Sequence, residues 1–475
     1  MYGEKSPKDN DKPYTVKLQF SNPEGIVLYM ICRICSHCGL CPGDGSDKEG
    51  LIVQTESMNA DFVPCSGAFA GNAVGLAFDI GTTTVACRAY ALSDGMLLCT
   101  FGEKNPQTAY GNDVITRISF SMKEGGFKKL NEAIVACVRE MISRAMLVAQ
   151  GILSEKRRGR AELKGITVAG NTVMESLFYG TSVSSLACHP FIPESKFGIE
   201  IDAEKIFGPE FFAGSCKVYI APAAAAFIGG DMVCAMIASG FHRKSERTRF
   251  LADLGTNCEM CVSDPESGRI FCASAAAGPA FEGFGIDCGS SACKGAIAKF
   301  HLNDGKPEAS VIGGGDGISL SGTGLVSAVS SFLDGGILDV DGSFRDEKME
   351  RFYLSDKVWI SRGDVRNFQL AKGAVCCGLK MLAQNGVSIN DPVLYLAGGF
   401  GTQLDPVEAK NTRMIPDFFE DNVVSIGNGA LQGASMLLFD ENLRRVAEKT
   451  AAGCIVIDLA SDESFQSEYM DALGF

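Results

Sequence analysis

Twice in this chain an apolar run stops at Asp-x-Gly-Thr and a second apolar run then resumes. Val74-Gly-Leu-Ala-Phe78 leads into Asp79-Ile-Gly-Thr-Thr-Thr84 and continues as Val85 to Leu92. Thr248-Arg-Phe-Leu-Ala252 leads into Asp253-Leu-Gly-Thr-Asn257 and continues as Glu259-Met-Cys-Val-Ser263. The runs read as strands paired across the turn. Each unit is followed by helical spacing (Leu130 to Leu153, Phe368 to Asn385) and by a short buried strand (Gly165 to Gly170, Pro392 to Ala397). A pattern that occurs twice, with Asp79 and Asp253 as equivalent positions, predicts two similar α/β halves facing each other across a cleft.

The turn itself suggests phosphate chemistry. Glycine lets the backbone bend sharply and come close to a ligand. The exposed amides and hydroxyls of Gly81, Thr82, Thr83 and Thr84, and of Gly255, Thr256 and Asn257, can donate to phosphate oxygens. Asp79 and Asp253 would be repelled by phosphate and are better suited to hold Mg²⁺, through water, or to orient a water; they are the candidate catalytic residues. One such turn is most simply a hairpin. Two in equivalent places favour a ligand site. Gly398, Gly399 and Gly401 follow a buried strand and suit close approach to a nucleoside, and Gly322, Gly324 and Gly278 to Gly283 are further candidates.

These motifs resemble the phosphate and adenosine motifs of the actin/Hsp70/sugar-kinase superfamily. Further stretches resemble the reductive activators of corrinoid-dependent proteins: Asn105-Pro-Gln, Tyr110-Gly-Asn-Asp-Val-Ile-Thr-Arg117, Ala169-Gly-Asn-Thr-Val-Met174 and Ile228-Gly-Gly-Asp231. Ala275 to Gly283, Gln369-Leu-Ala-Lys-Gly-Ala374, Ala397-Gly-Gly-Phe-Gly401 and Gly427-Asn-Gly-Ala430 continue the series in order. The resemblance implies a two-lobed ATPase that binds ATP with Mg²⁺. It implies that an electron passes from an iron–sulfur cluster to the Co(II) of a corrinoid protein in a methyltransferase or demethylase system, restoring Co(I). An electron donor is implied as a second partner, and a homodimer is an open assembly.

Residues 1–72 differ from the rest, so the expected division is 1–72, 73–245 and 246–475. Cys32, Cys35, Cys38 and Cys41 recur every third residue, and Cys65 follows later. Three near thiolates with a remote one suit a [4Fe–4S] cube; Cys32, Cys38, Cys41 and Cys65 suit a [2Fe–2S] centre like that of the family's usual ferredoxin domain. The segment is shorter than such a domain and carries Cys35 in addition. Structural zinc, for which His37 offers a histidine ligand, is the alternative; the redox reading is preferred because the adjoining domain resembles an ATP-driven electron donor, and His37 then reads as a bystander. Of 19 cysteines in all, most are scattered singly through apolar runs, where they read as small buried hydrophobes.

A net charge of −14 disfavours nucleic acid and anionic membrane as partners. No run is long and apolar enough to span a bilayer, and the opening residues carry no secretory h-region, so a cytoplasmic location is expected. Two competing functions share the fold: a small-molecule kinase, and an ATP-dependent scaffold for metallocentre assembly. The absence of a recognisable sugar-binding set between the halves weighs against the kinase.

Overall fold

The computed structural model describes residues 14–19, 27–32 and 69–475, apart from 210, 212–214, 304, 305 and 386. Of the first 68 residues it gives the backbone of one antiparallel hairpin, β1 (Tyr14–Gln19) and β2 (Val27–Cys32). The expected strand at Tyr14 is β1. Cys32 ends β2; Cys35, His37, Cys38, Cys41 and Cys65 lie outside the described residues.

The first six-stranded sheet is built from β3 (Ala73–Ile80), β4 (Thr84–Ala91), β5 (Leu97–Lys104), β6 (Glu162–Gly170), β7 (Ile199–Asp202) and β8 (Lys217–Ile220), in the order β5-β4-β3-β6-β8-β7. The second contains β9 (Arg249–Leu254), β10 (Cys258–Ser263) and β11 (Ile270–Ala275). A three-stranded sheet of β12 (Ala296–Asn303), β13 (Lys306–Val311) and β14 (Ser319–Leu320) and a hairpin of β15 (Arg351–Tyr353) and β16 (Trp359–Ser361) follow, neither of them foreseen. With β17 (Val393–Ala397), β18 (Val423–Gly427) and β19 (Cys454–Val456) the second large sheet runs β18-β17-β9-β10-β11-β19.

The two sheets repeat one plan. The Asp-bearing strand is central, antiparallel to the strand after its turn and parallel to a later one. Asp79 stands opposite Ala169 and Asp253 opposite Ala397, and each alanine is followed by a glycine. The α/β, two-lobed fold expected from the duplicated motif is therefore present. The halves differ at their edges, where the first sheet adds antiparallel β7 and the second adds parallel β19.

Packing follows the helical periodicity. Helix Gly126–Glu155 buries Leu130, Ile134, Val138, Met141, Ala145 and Ala149 against the first sheet, a stripe at three- and four-residue steps. Helix Arg362–Gln384 does the same for the second. A third core lies between the sheets, where helices Gly230–Ala238 and Gly429–Phe439 cross. It joins Ala77, Ala86 and Ala169 of the first sheet to Leu251, Cys261 and Cys272 of the second. The crossing is close: a Cβ on Gly433 would overlap the Cys234 carbonyl. Helix Gly429–Phe439 belongs to the later half of the sequence yet reaches the first sheet, where Arg88 donates to Gln432 at 2.8 Å and Tyr90 to Ser435 at 3.1 Å.

Of the last 35 residues, edge strand β19 and helix Phe465–Asp471 pack on the second half as expected, whereas helix Glu441–Gly453 packs on helix Gly230–Ala238 and reaches the first sheet, where Tyr219 donates to Glu448 at 3.1 Å and Arg444 to Glu200 at 2.7 Å. Gly398 to Gly401 differ from the expected turn. Gly398 bends the chain at φ +83°, and from there helix Gly398–Gln403 begins. Among the described residues, no helix is long and apolar enough to cross a membrane.

Candidate nucleotide site between the lobes

The first Asp-Ile-Gly-Thr loop is held from below by three polar side chains. Asn105 Nδ2 donates to the Gly81 carbonyl at 2.9 Å. Arg117, fully buried, donates to the Thr82 carbonyl at 2.5 Å, the Gly111 carbonyl at 2.9 Å and Gln107 Oε1 at 3.1 Å. Asn171 Nδ2 donates to Thr82 Oγ1 at 3.1 Å, which leaves that hydroxyl's own proton free for an acceptor in the cleft. Burial pulls Arg117 down to about 10, so it is still a cation at neutral pH, and the carbonyls around it supply acceptors for that charge. Asn105, Arg117 and Asn171 come from three of the stretches quoted above, so those stretches form the foundation of the loop. Gly81, Thr82, Thr83 and Thr84 are all partly exposed.

The second loop is arranged differently. Gly255, Thr256 and Asn257 are partly exposed, and the Gly255 amide donates to the Asn257 carbonyl at 3.2 Å. The Thr256 hydroxyl donates to Glu282, which engages its proton. Burial raises Glu282 above the usual carboxylate range. Its neighbour Phe281 stacks on Phe400, with centroids 4.6 Å apart and planes at 14°. This stack links Gly278 to Gly283 with Gly398 to Gly401. Gly398 sits directly against Asp253, where a Cβ would overlap Oδ1; Gly399 is exposed with open space around it, and Gly401 is buried. Gly322 and Gly324 are buried in helix Gly322–Asp334, where a Cβ on either would overlap the carbonyl of Phe281 or Ile297. The structure thus places those two in backbone packing beneath the site.

Carboxylates gather on the cleft floor. Asp79 accepts a 2.8 Å hydrogen bond from Asn428 Nδ2. Burial lifts Asp79 to about 7, against the Asn428 bond, which lowers it, and with a smaller push from Asp253. Burial lifts Asp253 to about 6. Asp231, in the first turn of helix Gly230–Ala238, is lifted by burial to about 8, with Asp253 and Asp79 adding repulsion. Glu259, opposite Asp253 on β10, is raised by burial and by Asp231 and Asp253. Glu175 is fully buried behind Asp231 and is also raised, by burial first and by Asp231 second. Asp79, Asp231, Asp253 and Glu259 are ringed by protein yet keep an accessible face.

Sequence reasoning paired Asp79 with Asp253 but gave no role to Asp231, Glu259, Glu175 or Asn428. Asp231 and Asn428 lay inside quoted stretches, each a polar residue beside glycine at the start of a helix. That position is the signal that could have found them.

Like charges held together in this way favour a cation between them. Among the described residues, no three His, Cys, Asp or Glu side chains converge on one metal-sized point. The donor set nevertheless suits Mg²⁺, which keeps several waters and takes only one or two carboxylates when a nucleotide supplies phosphate oxygens.

Residues 74–244 match the family described as "RACo middle region", and residues 247–475 the "C-terminal domain of RACo the ASKHA domain". The chain is 29% identical over 456 residues to the corrinoid activation enzyme RamQ of Eubacterium limosum, covering 90% of this chain and 74% of that one. It is 25% identical over 440 residues to the [Co(II) methylated amine-specific corrinoid protein] reductase of Methanosarcina barkeri, covering 84% and 77%. The solved structure of a reductive activator for corrinoid, iron–sulfur protein superposes with a TM-score of 0.72 at 28% identity, over 86% of this chain and 67% of that one. With both halves matched, the chain belongs to the family of reductive activators of corrinoid proteins, built on an ASKHA domain.

Proposed function

We propose that this chain binds ATP with Mg²⁺ in the cleft between its lobes and uses it to drive one electron into a corrinoid protein, taking Co(II) to Co(I). The observation that carries the ATP site is the carboxylate floor of Asp79, Asp231 and Asp253. It lies between two equivalent Gly-Thr loops, one from each lobe. The corrinoid substrate is supported by the activities in the names of the two relatives.

The chain's own groups divide the work. Amides and hydroxyls at Gly81 to Thr84 and backbone amides at Gly255 to Asn257 grip the phosphates, and Gly399, with open space around it, leaves room for the nucleoside. Asp79 and Asp253 approach from opposite lobes and orient the hydrated cation and the attacking water. Mg²⁺ bound with the nucleotide, held by Asp79 and Asp253 through water, would offset the carboxylate charge and stabilise charge developing on the phosphates. An iron–sulfur cluster on four of Cys32, Cys35, Cys38, Cys41 and Cys65 would supply the electron, and an external donor would re-reduce it.

Reduction of Co(II) is uphill from ordinary donors, at about 1.4 kcal/mol for each 59 mV of a one-electron gap. ATP helps only if it binds the states of the complex unequally. A site shared by two lobes provides this, because nucleotide binding changes how the lobes stand and hence how the surface meets its partner.

The test follows cobalt absorbance in a cognate corrinoid protein under anaerobic conditions. Added ATP should accelerate appearance of Co(I) by the wild type. Asp253→Ala should lose that ATP effect while keeping its iron. An unchanged rate with and without ATP in the wild type would overturn the reading.

A further inference from the structure

Gln369-Leu-Ala-Lys-Gly373 has no part in the cleft, yet it contains a fully buried lysine. Its side chains explain one another. Gln369, Lys372 and Gly373 fall on one face of helix Arg362–Gln384, at i, i+3 and i+4. The segment Ala472–Phe475 lies on that face. Gln369 Nε2 donates to the Leu473 carbonyl at 3.1 Å and to the Asp341 carbonyl at 2.8 Å. Lys372 Nζ donates to the Gly474 carbonyl and stands 4.9 Å from the centroid of the Phe475 ring. Gly373 leaves the space for Leu473, whose Cδ2 would come within 2.9 Å of a Cβ there. The Phe475 amide closes the other side by donating to the Val340 carbonyl at 2.7 Å. Burial pulls Lys372 down to about 8, and a carbonyl and a ring face are what offset the desolvation of its charge.

From this pocket an aromatic ladder leads to the cleft. Phe475 stacks on Phe368, with centroids 6.1 Å apart and planes at 20°. Phe368 meets Phe281 edge to face at 6.4 Å, and Phe281 stacks on Phe400 at 4.6 Å. Phe281 precedes Glu282, the acceptor for Thr256, and Phe400 lies in helix Gly398–Gln403, whose first residue sits against Asp253. Phe475, Phe368 and Phe281 are each less than 5% exposed, so displacement of one ring must be taken up by the next.

We propose that the segment Ala472–Phe475 is a positioning element of the nucleotide site. Seated on Gln369, Lys372 and Gly373, it braces through Phe368 the Phe281–Phe400 stack that fixes the second phosphate loop against the start of helix Gly398–Gln403. The proposal rests on the reading of the cleft as an ATP site. It assigns Lys372 and Phe475 to positioning, since neither reaches the cleft.

The test is steady-state ATP hydrolysis by the full chain and by Phe475→Ala, Phe475→Leu, Phe475→Tyr and Lys372→Met. Removing the ring or the lysine should raise KM for ATP by about 3- to 10-fold, with kcat within about twofold. Phe475→Tyr, which keeps the flat ring, should restore KM. Phe475→Leu fills much of the volume without the ring and guards against a Phe475→Ala protein that fails to fold. Variants that melt earlier but keep the wild-type KM would overturn the proposal, because the segment would then be packing only. A wild type that neither binds nor hydrolyses ATP would remove the site itself, an outcome separate from the variant comparison.

Discussion

Asn428 donates to Asp79 across the lobes, at 2.8 Å, while its own side-chain oxygen accepts from the Leu431 amide at 2.7 Å. One residue thus caps helix Gly429–Phe439 and holds the first lobe's cleft carboxylate. The helix start and the Asp79 carboxylate therefore move together when the lobes move.

Replacing Asn428 separates these two duties. Asn428→Ala should destabilise the protein by about 1–2 kcal/mol, through loss of the cap and of a donor to a buried carboxylate. Asn428→Ser keeps a capping oxygen but has no amide to offer Asp79. It should therefore keep most of the stability while Asp79 titrates at higher pH. The pH profile of ATP hydrolysis should then move to the alkaline side. An unchanged profile with both variants would show that the Asn428–Asp79 bond does not set the ionisation of the site.

The carboxylate floor makes a directional pH prediction. Asp79, Asp231 and Asp253 sit at about 7, 8 and 6 in the fold, above their ordinary 3.8. Between those values the folded chain holds protons that the unfolded chain has released. Stability of the nucleotide-free protein should therefore fall as pH rises through this window. Binding of the hydrated cation with ATP favours the ionised forms, so affinity should rise from pH 6 to 8. On the order of one proton should be released per ATP bound near pH 6.5. Calorimetry in two buffers of different ionisation enthalpy measures that number directly; proton uptake would contradict the assignment.

The helix crossing gives a prediction of opposite sign to helix propensity. Alanine at Gly433 should favour the helix by about 1 kcal/mol. A Cβ there overlaps the Cys234 carbonyl, a backbone atom that cannot step aside. Overpacking of this kind costs about 1–3 kcal/mol or more, so the clash wins. Gly433→Ala should melt earlier than the wild type, and lobe closure on ATP should weaken with it. A higher melting temperature would show that the crossing tolerates being spread.

Much of this architecture was legible because its signal is local. An apolar run ended by Asp-x-Gly-Thr specifies a strand end and a tight turn whatever surrounds it, and its recurrence gives the second lobe. Contacts between distant segments were not legible. Asp231 and Glu259 reach the cleft from a helix and a strand, with Glu175 buried behind Asp231; Asp231 alone of the three carries a local sign, its place beside glycine at a helix start, and nothing along the chain marks Glu259 or Glu175 as neighbours of Asp79. Glycine is ambiguous for the same reason. Gly398 makes room beside Asp253, whereas Gly322 and Gly324 make room for the carbonyls of Phe281 and Ile297. In sequence both kinds read alike, as glycine in a turn or loop. The helix at Gly398 was missed because glycine is a poor helix former, and its start depends on the strand and loop packed around it.

The cysteines near the start of the chain carry the remaining prediction. Their spacing allows two ligand sets that share Cys38 and Cys41, so Cys38→Ser or Cys41→Ser should abolish or severely degrade the cluster. Cys35 separates the two sets. Cys35→Ser should destroy a cube built on the near triplet and should spare a two-iron centre on Cys32, Cys38, Cys41 and Cys65. Iron and sulfide analysis with EPR on anaerobically prepared protein reads nuclearity and occupancy together. Thiolates bind only when deprotonated, and a reduced cluster adds further negative charge. Stoichiometric zinc without iron would remove the electron source and, with it, the reduction of Co(II) by this chain.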